Sequence, residues 1–356
     1  MAVSEPVRKL LAAFEARQPA ALARAVSIVE NHRAGFDELL AAVHPRLGRS
    51  RRIGLTGPPG AGKSTLSTGL TAAYRAAGLT VGVVAVDPTS PFTGGALLGD
   101  RIRMESVALD PGVFIRSMAT RGSLGGLAAT TREVADVLDG FGFDRIIIET
   151  VGVGQSELDV ARMADTSVVA LVPESGDSIQ TLKAGLMEIA DVFVINKADR
   201  PGADRLKHEV ELMLGLRMGH TFRSIPAHHG VELRSTNPAR MARKAAETVA
   251  DHWTPPVLPT VGTKGEGIHD LIGAIDRHFA YLERSGELRA RRRQRLRERV
   301  VEVVEDRVRA RLWRDDATNA WIEGKLPELE SGTLTPFAAA DALLKRSGDL
   351  LTRGRT

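Results

Sequence analysis

The sequence has no cysteine among its 356 residues, which excludes disulfide bonds and thiolate metal sites. It also has no uninterrupted apolar run near the roughly 18 residues that a transmembrane helix requires. Its first residues carry charges every few positions, whereas a signal peptide has an apolar core. We therefore expect a cytoplasmic protein without a membrane partner.

A strong excess of one charge is also missing. The formal net charge is +4, and much of the basic excess lies near the C-terminus, in a run of arginines. This run could suggest a nucleic-acid surface, but no aromatic residues alternate with it and acidic residues soon reverse the charge. A solvated or inter-subunit helix face explains it better, and we expect no nucleic-acid partner. The run comprises Arg289, Arg291, Arg292, Arg293, Arg295, Arg297 and Arg299.

The order of helical and strand patterns divides the chain into three regions. Residues 1–48 have apolar residues at helical spacing and predict an N-terminal helical extension. Residues 49–283 alternate short β-branched runs with helical segments, which is typical of an α/β fold with a mostly parallel central sheet flanked by helices. Residues 284–356 return to helix. The predicted strands are residues 52–56, 80–86, 113–116, 145–149, 167–172, 192–196 and 222–226.

The C-terminal region carries an apolar residue at every fourth position of a highly charged helix. Such a stripe indicates packing against another surface, and we expect that surface to be the second subunit of a homodimer. The region is therefore predicted to be a dimerisation arm. The stripe comprises Leu296, Val300, Val304, Val308 and Leu312.

The most informative motif is GPPGAGKST at residues 57–65, directly after the first predicted strand. It fits the pattern GxxxxGK(S/T) of P-loop NTPases, in which glycines let backbone N–H groups surround a phosphate chain at a helix N-terminus. A glycine-rich turn with a chance lysine is the alternative, but a helix pattern follows at residues 66–77, where the motif requires it. Lys63 would contact the β- and γ-phosphates, and Ser64 would bind Mg²⁺. The predicted phosphate-binding residues are Gly57, Pro58, Pro59, Gly60, Ala61, Gly62, Lys63, Ser64 and Thr65.

A second motif, NKAD at residues 196–199, follows the predicted strand 192–196 and so lies at the carboxyl edge of the sheet, where α/β folds bind ligands. The Asp199 carboxylate can accept two hydrogen bonds from N1–H and the exocyclic amine of guanine, whereas adenine offers no such pair of donors. Alone the tetrapeptide is common. Downstream of a P-loop it favours GTP over ATP.

A third element is the apolar strand 145–149, which ends in a carboxylate and is soon followed by glycine. In P-loop proteins this order lets Glu149 hold Mg²⁺ and the Gly152 N–H contact the γ-phosphate. Glu149 could instead be a strand-end carboxylate in a turn. Asp100, Glu149 and Gln155 are candidates for orienting the attacking water, and the sequence does not rank them; with Lys63 they form the predicted catalytic set.

Between these motifs, a glycine-rich loop follows the strand 80–86 and bears two well-separated aspartates, Asp87 and Asp100. Such a loop is suited to become ordered around a metal–triphosphate complex. The two aspartates are therefore metal-ligand candidates, although either could be a helix cap. No arginine finger is assigned, since Arg116 and Arg121 are better explained as ordinary surface arginines.

Taken together, the segments GPPGAGKST, DPTSPFTGGALLGDRIRM, ETVGVGQSELDVARMAD, PESGDSIQTLKAGLMEIAD, NKAD and PTVGTKGEGIHDL resemble the MeaB/ArgK family of GTPases, which associate with cobalamin-dependent mutases and have MMAA as their human relative. The resemblance covers essentially the whole chain. It implies a SIMIBI-class P-loop GTPase that gates delivery of adenosylcobalamin to methylmalonyl-CoA mutase, or to a related acyl-CoA mutase, and protects that enzyme.

The resemblance also implies roles for individual residues. Mg²⁺ would be held by Ser64, Asp87, Asp100 and Glu149. Asn196, Lys197 and Asp199 would bind guanine with Val261, Gly262 and Thr263. The segment from Glu174 to Leu186 would contact the mutase, with Gln180 and Lys183 coupling the two proteins.

A nickel-delivery GTPase of the HypB or UreG kind is the alternative function. It would share the nucleotide site but should carry a Cys/His metal site near it. The chain has no cysteine, and His228 and His229 are its only adjacent histidine pair. A mutase-associated GTPase with Mg²⁺ and GTP or GDP is therefore the favoured interpretation.

Overall fold

The computed structural model describes residues 3–87, 104–119, 126–150, 156–174, 185–217 and 252–346. The chain forms two compact units, Met1–Leu288 and Arg289–Thr356. Candidate residues Asp100, Gly152, Gln155, Gln180 and Lys183 lie outside the described residues, as does the predicted strand 222–226.

Three helices precede the sheet: α1 (Glu5–Glu15), α2 (Pro19–Glu30) and α3 (Phe36–Val43), followed by a short 3₁₀ helix, His44–Arg46. Pro19 is the first residue of α2, where its fixed φ suits a helix start and its missing N–H costs nothing. Gly35 precedes α3 with a φ of 90°, a conformation that glycine adopts readily. Gly35 therefore lies at the break between α2 and α3.

Among the described residues a seven-stranded sheet follows, with the strand order β3-β2-β4-β1-β5-β6-β7. Every adjacent pair is parallel. This confirms the predicted α/β fold, but β7 was not predicted. The strands are β1 (Arg51–Thr56), β2 (Val81–Asp87), β3 (Val113–Ala119), β4 (Arg145–Thr150), β5 (Thr166–Leu171), β6 (Val192–Asn196) and β7 (Val257–Thr260).

Helices connect successive strands and cover both faces of the sheet. The helix after the P-loop begins at Lys63, three residues earlier than the apolar spacing predicted. The described helices of this part are α4 (Lys63–Ala76), α5 (Glu105–Ala108), α6 (Gly126–Phe141), α7 (Ser156–Met163), α8 (Met187–Ile189), α9 (Ala203–Arg217) and α10 (Ile268–Ser285).

The core has two sides because successive strand residues point to opposite faces. On β4, Ile146 and Ile148 are buried against the N-terminal helices and α6, while Ile147 is buried on the other face with α4 and α10. Central strands buried on both sides carry nearly continuous apolar runs, which is why this sheet was recognisable from the sequence. A third cluster joins β5 and β6 to α9.

The second unit is helical. Its described helices are α11 (Glu287–Trp313), which begins just before the boundary between the units, α12 (Asp316–Glu330) and α13 (Pro336–Arg346). Asp315 caps α12, since its Oδ2 accepts a hydrogen bond of 2.9 Å from the Thr318 N–H. Leu312 is buried, whereas Leu296, Val300 and Val304 are each at least half exposed. Among the described helices, none has the length and apolarity to span a bilayer.

Candidate nucleotide site

The candidate site lies at the carboxyl edge of the sheet, where the loops after β1, β4, β6 and β7 begin. The central position of β1, between β4 and β5, places the P-loop in the middle of this edge. Ligands of open α/β sheets bind at this edge. The predicted motifs are therefore brought together by strand order.

Two P-loop glycines are required by close approach as well as by backbone conformation. Gly57 has a φ of 136°, and a Cβ there would lie 2.1 Å from the Ala170 carbonyl oxygen. Gly62 has a φ of 81°, and a Cβ would lie 2.3 Å from Asn196 Nδ2. Gly60 also has a positive φ, 76°, but a Cβ there would meet no atom within 4 Å. The loop thus packs tightly against β5 and β6 at its two ends and is open between them.

Lys63 is buried in the loop that it follows. Its Nζ donates hydrogen bonds to the carbonyl oxygens of Gly57, at 2.8 Å, and Pro58, at 2.9 Å. These bonds hold the ammonium group inside the curve of the P-loop, at the N-terminus of α4. A buried cation at a helix N-terminus next to glycine N–H groups is suited to bind phosphate oxygens.

Ser64 and Glu149 are joined across two elements. The Ser64 hydroxyl donates to Glu149 Oε1 at 2.6 Å, and both residues are buried. Below them, the Thr150 hydroxyl donates to Thr56 Oγ1 at 3.1 Å, linking the ends of β4 and β1. Asp87 ends β2, beside the end of β4. The structure therefore brings a hydroxyl and a carboxylate together, which the sequence could only place on separate segments.

Asn196 connects three parts of the site. It is 2% exposed, and its Nδ2 donates to the Ala61 carbonyl oxygen of the P-loop at 2.8 Å. Its Oδ1 accepts from the Thr260 hydroxyl and from the Gly262 N–H, both at 3.1 Å. The sequence predicted Asn196 as a guanine contact, and that stays a prediction. The structure shows that its side chain joins residues 196–199, here named the base loop, to the P-loop and to the loop after β7.

Asp199 and Lys264 meet on adjacent loops. Asp199 is exposed, and its Oδ2 lies 3.6 Å from Lys264 Nζ. The Ala198 N–H donates to the Thr260 carbonyl oxygen at 3.0 Å, which holds the two loops together. Val261 is buried at the start of the second loop, and Gly262 and Thr263 form a 3₁₀ turn that ends at Lys264. Lys264 was not predicted as a site residue, although it directly follows the three residues that were.

Lys197 makes a separate contact, with Glu174. Its backbone has a φ of 56°, unusual for a residue with a side chain, and its Nζ lies 3.6 Å from Glu174 Oε2. Glu174 also pairs with Arg200. The carboxylate thus fixes the outer side of the base loop. No sequence signal pointed to this contact, since Glu174 and Arg200 are 26 residues apart.

At the opposite edge of the sheet, Arg52 anchors the start of β1. Its guanidinium donates to Asp136 at 2.7 Å and to Asp139 at 3.1 Å. Burial acts to lower the pKa of Arg52, but Asp136, Asp139 and Asp165 outweigh it, so the net pKa is raised and the cation is retained. The strand that carries the P-loop is therefore fixed at its beginning by a buried ionic network.

Arg116 is explained by a structural contact. It lies on β3 and pairs with Glu30 at the end of α2. This agrees with the interpretation of Arg116 as an ordinary arginine. Arg121 lies outside the described residues.

The comparisons with known proteins are consistent with this geometry. A family model described as methylmalonyl Co-A mutase-associated GTPase MeaB matches residues 22–317. The chain belongs to the MeaB family. Both the predicted family and the predicted GTPase activity are thereby confirmed.

Individual MeaB relatives match over most of their length. A Pyrococcus horikoshii protein named as a GTPase is 42% identical over 342 residues, covering 96% of this chain and 98% of that protein. GTPase ArgK of Escherichia coli is 35% identical and covers 94% and 93% of the two chains. The mouse mitochondrial methylmalonic aciduria type A homolog is 34% identical, with 92% and 76% covered. The crystal structure of an LAO/AO transport system kinase is 28% identical, with a TM-score of 0.66 and coverage of 97% and 99%.

Proposed function

We propose that this MeaB-family GTPase uses the GTP cycle to gate delivery of adenosylcobalamin to methylmalonyl-CoA mutase, or to a related B12-dependent acyl-CoA mutase, and to protect that enzyme. The family description supports the association with a mutase. A relative named for methylmalonic aciduria supports the same client. Binding of a guanine nucleotide is supported by the Asn196 side chain, which joins the base loop to the P-loop.

Phosphoryl transfer requires mainly positioning and neutralisation of charge from the protein. Lys63 and the backbone N–H groups of residues 57–65 bind the β- and γ-phosphates, and Gly152 adds an N–H. Lys63 exchanges its bonds to the Gly57 and Pro58 carbonyl oxygens for phosphate oxygens. Glu149, Asp100 and Gln155 are the groups proposed to orient the attacking water.

The chemistry of the donor set fits Mg²⁺. The Ser64 hydroxyl and the Glu149 carboxylate present hard oxygen donors side by side, which Mg²⁺ prefers. These two residues, with Asp87 and Asp100, would hold the ion. When bound, Mg²⁺ neutralises charge on the triphosphate. The Ser64–Glu149 hydrogen bond keeps both groups oriented towards each other.

Guanine is recognised by the Asp199 carboxylate, which accepts from N1–H and from the exocyclic amine. Val261, Gly262 and Thr263 border the base, together with Lys197. The hydrogen bonds of Asn196 and Ala198 fix the distance between the base loop and the P-loop. A nucleotide whose base and phosphates are separated by this distance can therefore bind both loops at once. Fixing the loops in advance increases affinity without adding contacts.

We also propose a homodimer formed through the second unit. The side chains of Leu296, Val300 and Val304 are 53, 65 and 53% exposed, as a row on one helix. Such a row of apolar residues on a charged helix is typical of a helix–helix interface. A chain ending at Leu288 should be monomeric and still bind GDP. Light scattering that gives the same oligomeric state for the shortened and full chains would exclude this interface.

The test of the client is a hydrolysis and capture experiment. Candidate B12-dependent mutases are added to the GTPase with GDP or with a non-hydrolysable GTP analogue, and complex formation and GTP turnover are measured. We expect the mutase to bind in a nucleotide-dependent manner and to stimulate turnover. Lys183→Ala should remove most of the stimulation while GTP affinity stays within about threefold, and Lys207→Ala, on α9, serves as the matched control. Mutases that neither bind nor stimulate would exclude the proposed client.

A further inference from the structure

A second cavity lies at the edge of the sheet opposite the nucleotide site. Its volume is about 340 Å³, within the range of small-molecule sites. The end of α1, the 3₁₀ helix after α3 and the end of α6 surround it. Three arginines, Arg17, Arg46 and Arg49, line this cavity with one acidic residue, Glu15, and with Phe14 and Phe141.

The three arginines differ in how their charges are used. Arg46 pairs with Glu15. Arg17 donates to the Gly142 carbonyl oxygen at 3.2 Å, and its guanidinium carbon lies 5.5 Å from the centre of the Phe141 ring. The Arg49 backbone N–H donates to Asp139, but its exposed guanidinium has no hydrogen bond or ion pair within the residues that the structure describes. One cation thus remains available at the mouth of the cavity.

Arg17 is also held in a costly backbone conformation. Its φ is 57°, at the position after α1 where glycine is the preferred residue. A side chain in this left-handed region is unfavourable, because its Cβ comes too close to the following carbonyl oxygen. The hydrogen bond to Gly142 and the contact with Phe141 offset that cost and keep the guanidinium at the cavity. An arginine in a glycine position points to a use for its side chain.

The charge of the cavity favours an anion. The lining side chains, three guanidinium groups and one carboxylate, carry a formal charge of +2, of which the C-terminal ends of α1 and α6 offset about half a charge each. Arg17 also interacts electrostatically with Asp144, which lies outside the lining and whose pKa it helps to lower. Guanidinium groups recognise phosphate and carboxylate oxygens through paired N–H donors. Arg46 can break its ion pair with Glu15 to bind a stronger oxyanion, whereas Arg49 has no such ion pair to break among the described residues. Because the volume exceeds that of a bare phosphate ion, a larger molecule that carries the oxyanion fits the space.

We propose that this cavity, here named the arginine cavity (Arg17, Arg46 and Arg49), binds the phosphate group of a small phosphate ester. The proposal is independent of the mutase client and of the guanine site. It assigns the N-terminal helical extension a ligand, since all three arginines lie on segments before β1. Ligand binding would join α1 to α6 and so stabilise the extension on the sheet.

The experiment measures thermal stabilisation and calorimetric binding in the full chain saturated with GDP and Mg²⁺, so that the P-loop is already filled. The probes are inorganic phosphate and glycerol 3-phosphate, with chloride at matched ionic strength. Variants Arg49→Ala and Arg17→Gly remove cavity cations, and Arg24→Ala, an exposed arginine of α2, is the control. Arg17→Gly also suits the backbone conformation, which protects the variant against loss of folding.

We expect both probes to bind the wild type and Arg24→Ala, the ester more tightly than phosphate, with affinity reduced about tenfold in Arg49→Ala and Arg17→Gly. GTP hydrolysis should stay unchanged in Arg49→Ala. Tighter binding of phosphate than of the ester would replace the ester by free phosphate as the ligand. Equal stabilisation by chloride, or unchanged affinity in both cavity variants, would overturn the site. If a variant is less stable than the wild type in the absence of ligand, only its calorimetric affinity is compared. That affinity is measured below the melting temperature of the variant.

Discussion

The side chain of Asn196 gives the sharpest prediction about how the site is held together. Asn196→Ala removes three hydrogen bonds, to Ala61, Thr260 and Gly262, from a residue that is 2% exposed. At about 1 kcal/mol net for each bond, the loss is about 3 kcal/mol. For a unit of this size, each kcal/mol corresponds to about 2–4 °C in melting temperature, so we expect a decrease of roughly 6–12 °C.

The control for Asn196 is Thr260→Val, which removes only one of the three bonds and should cost about 1 kcal/mol. Both variants and the double variant are unfolded with denaturant in the absence of nucleotide, because ligand binding adds its own stabilisation. We expect the double variant to cost little more than Asn196→Ala, since the Thr260 bond is already lost in it. The reasoning is refuted if Asn196→Ala costs no more than Thr260→Val.

Asn196→Ala should also weaken GDP binding, because the P-loop and the base loop lose their common support. The melting experiment and the binding experiment are separable. A variant that is destabilised but binds GDP with normal affinity would show that the two loops keep their distance without Asn196. In that case Asn196 would stabilise the fold without setting the distance between the two loops.

Three further predictions test individual features. Asp199→Asn should move preference from guanine to xanthine nucleotides, since the amide can donate to the C2 carbonyl; equal affinity of the wild type for ATP and GTP would contradict the assignment. Gly57→Ala should prevent phosphate binding and destabilise the fold, because its Cβ would collide with the Ala170 carbonyl oxygen. Gly60→Ala should lower the free energy of unfolding by only about 1 kcal/mol, because its Cβ meets no atom within 4 Å. Calorimetry with GDP distinguishes the two variants. At Asp144, burial raises the pKa, but hydrogen bonds from the Thr80 N–H and hydroxyl outweigh it, so the net pKa is lowered. The stabilisation from the Asp144 carboxylate is complete above its unfolded pKa of about 3.9 and is lost as the pH falls through the lower folded pKa. In Asp144→Asn the free energy of unfolding should therefore depend less steeply on pH in the acid range, as denaturant unfolding at several pH values would measure.

Much of the fold could be predicted because central parallel strands are apolar along their whole length. The run Ile146, Ile147 and Ile148 marks a strand covered on both faces, and the structure buries all three. The strand β7 was missed because it has only four residues, includes Pro259 and shows a mixed burial pattern. A short edge strand of this kind is specified by its pairing with β6 more than by its own sequence.

The site was predictable where its residues are contiguous and unpredictable where they meet through the fold. The P-loop is recognisable because the same nine residues supply the turn, the cation and the hydroxyl. The contact of Ser64 with Glu149 spans 85 positions and depends on β1 pairing with β4. The pairing of Asp199 with Lys264 likewise requires β6 beside β7. Such contacts follow from strand order, which the local pattern of the chain does not determine.

The polar groups of the nucleotide site already have partners within the protein, and this affects how the site discriminates between ligands. Lys63 donates to two P-loop carbonyl oxygens, Ser64 donates to Glu149, and Asp199 lies beside Lys264. A ligand that engages these groups exchanges hydrogen bonds, so each contact contributes a modest net amount. A ligand that contacts only one of the two loops, such as free phosphate or guanosine, therefore gains little binding free energy. In the proposed site, a guanine nucleotide would contact the P-loop and the base loop together, and both sets of contacts would be gained for one loss of translational freedom. On this proposal, discrimination between ligands would depend on the distance between the two loops, which the hydrogen bonds of Asn196 help to fix.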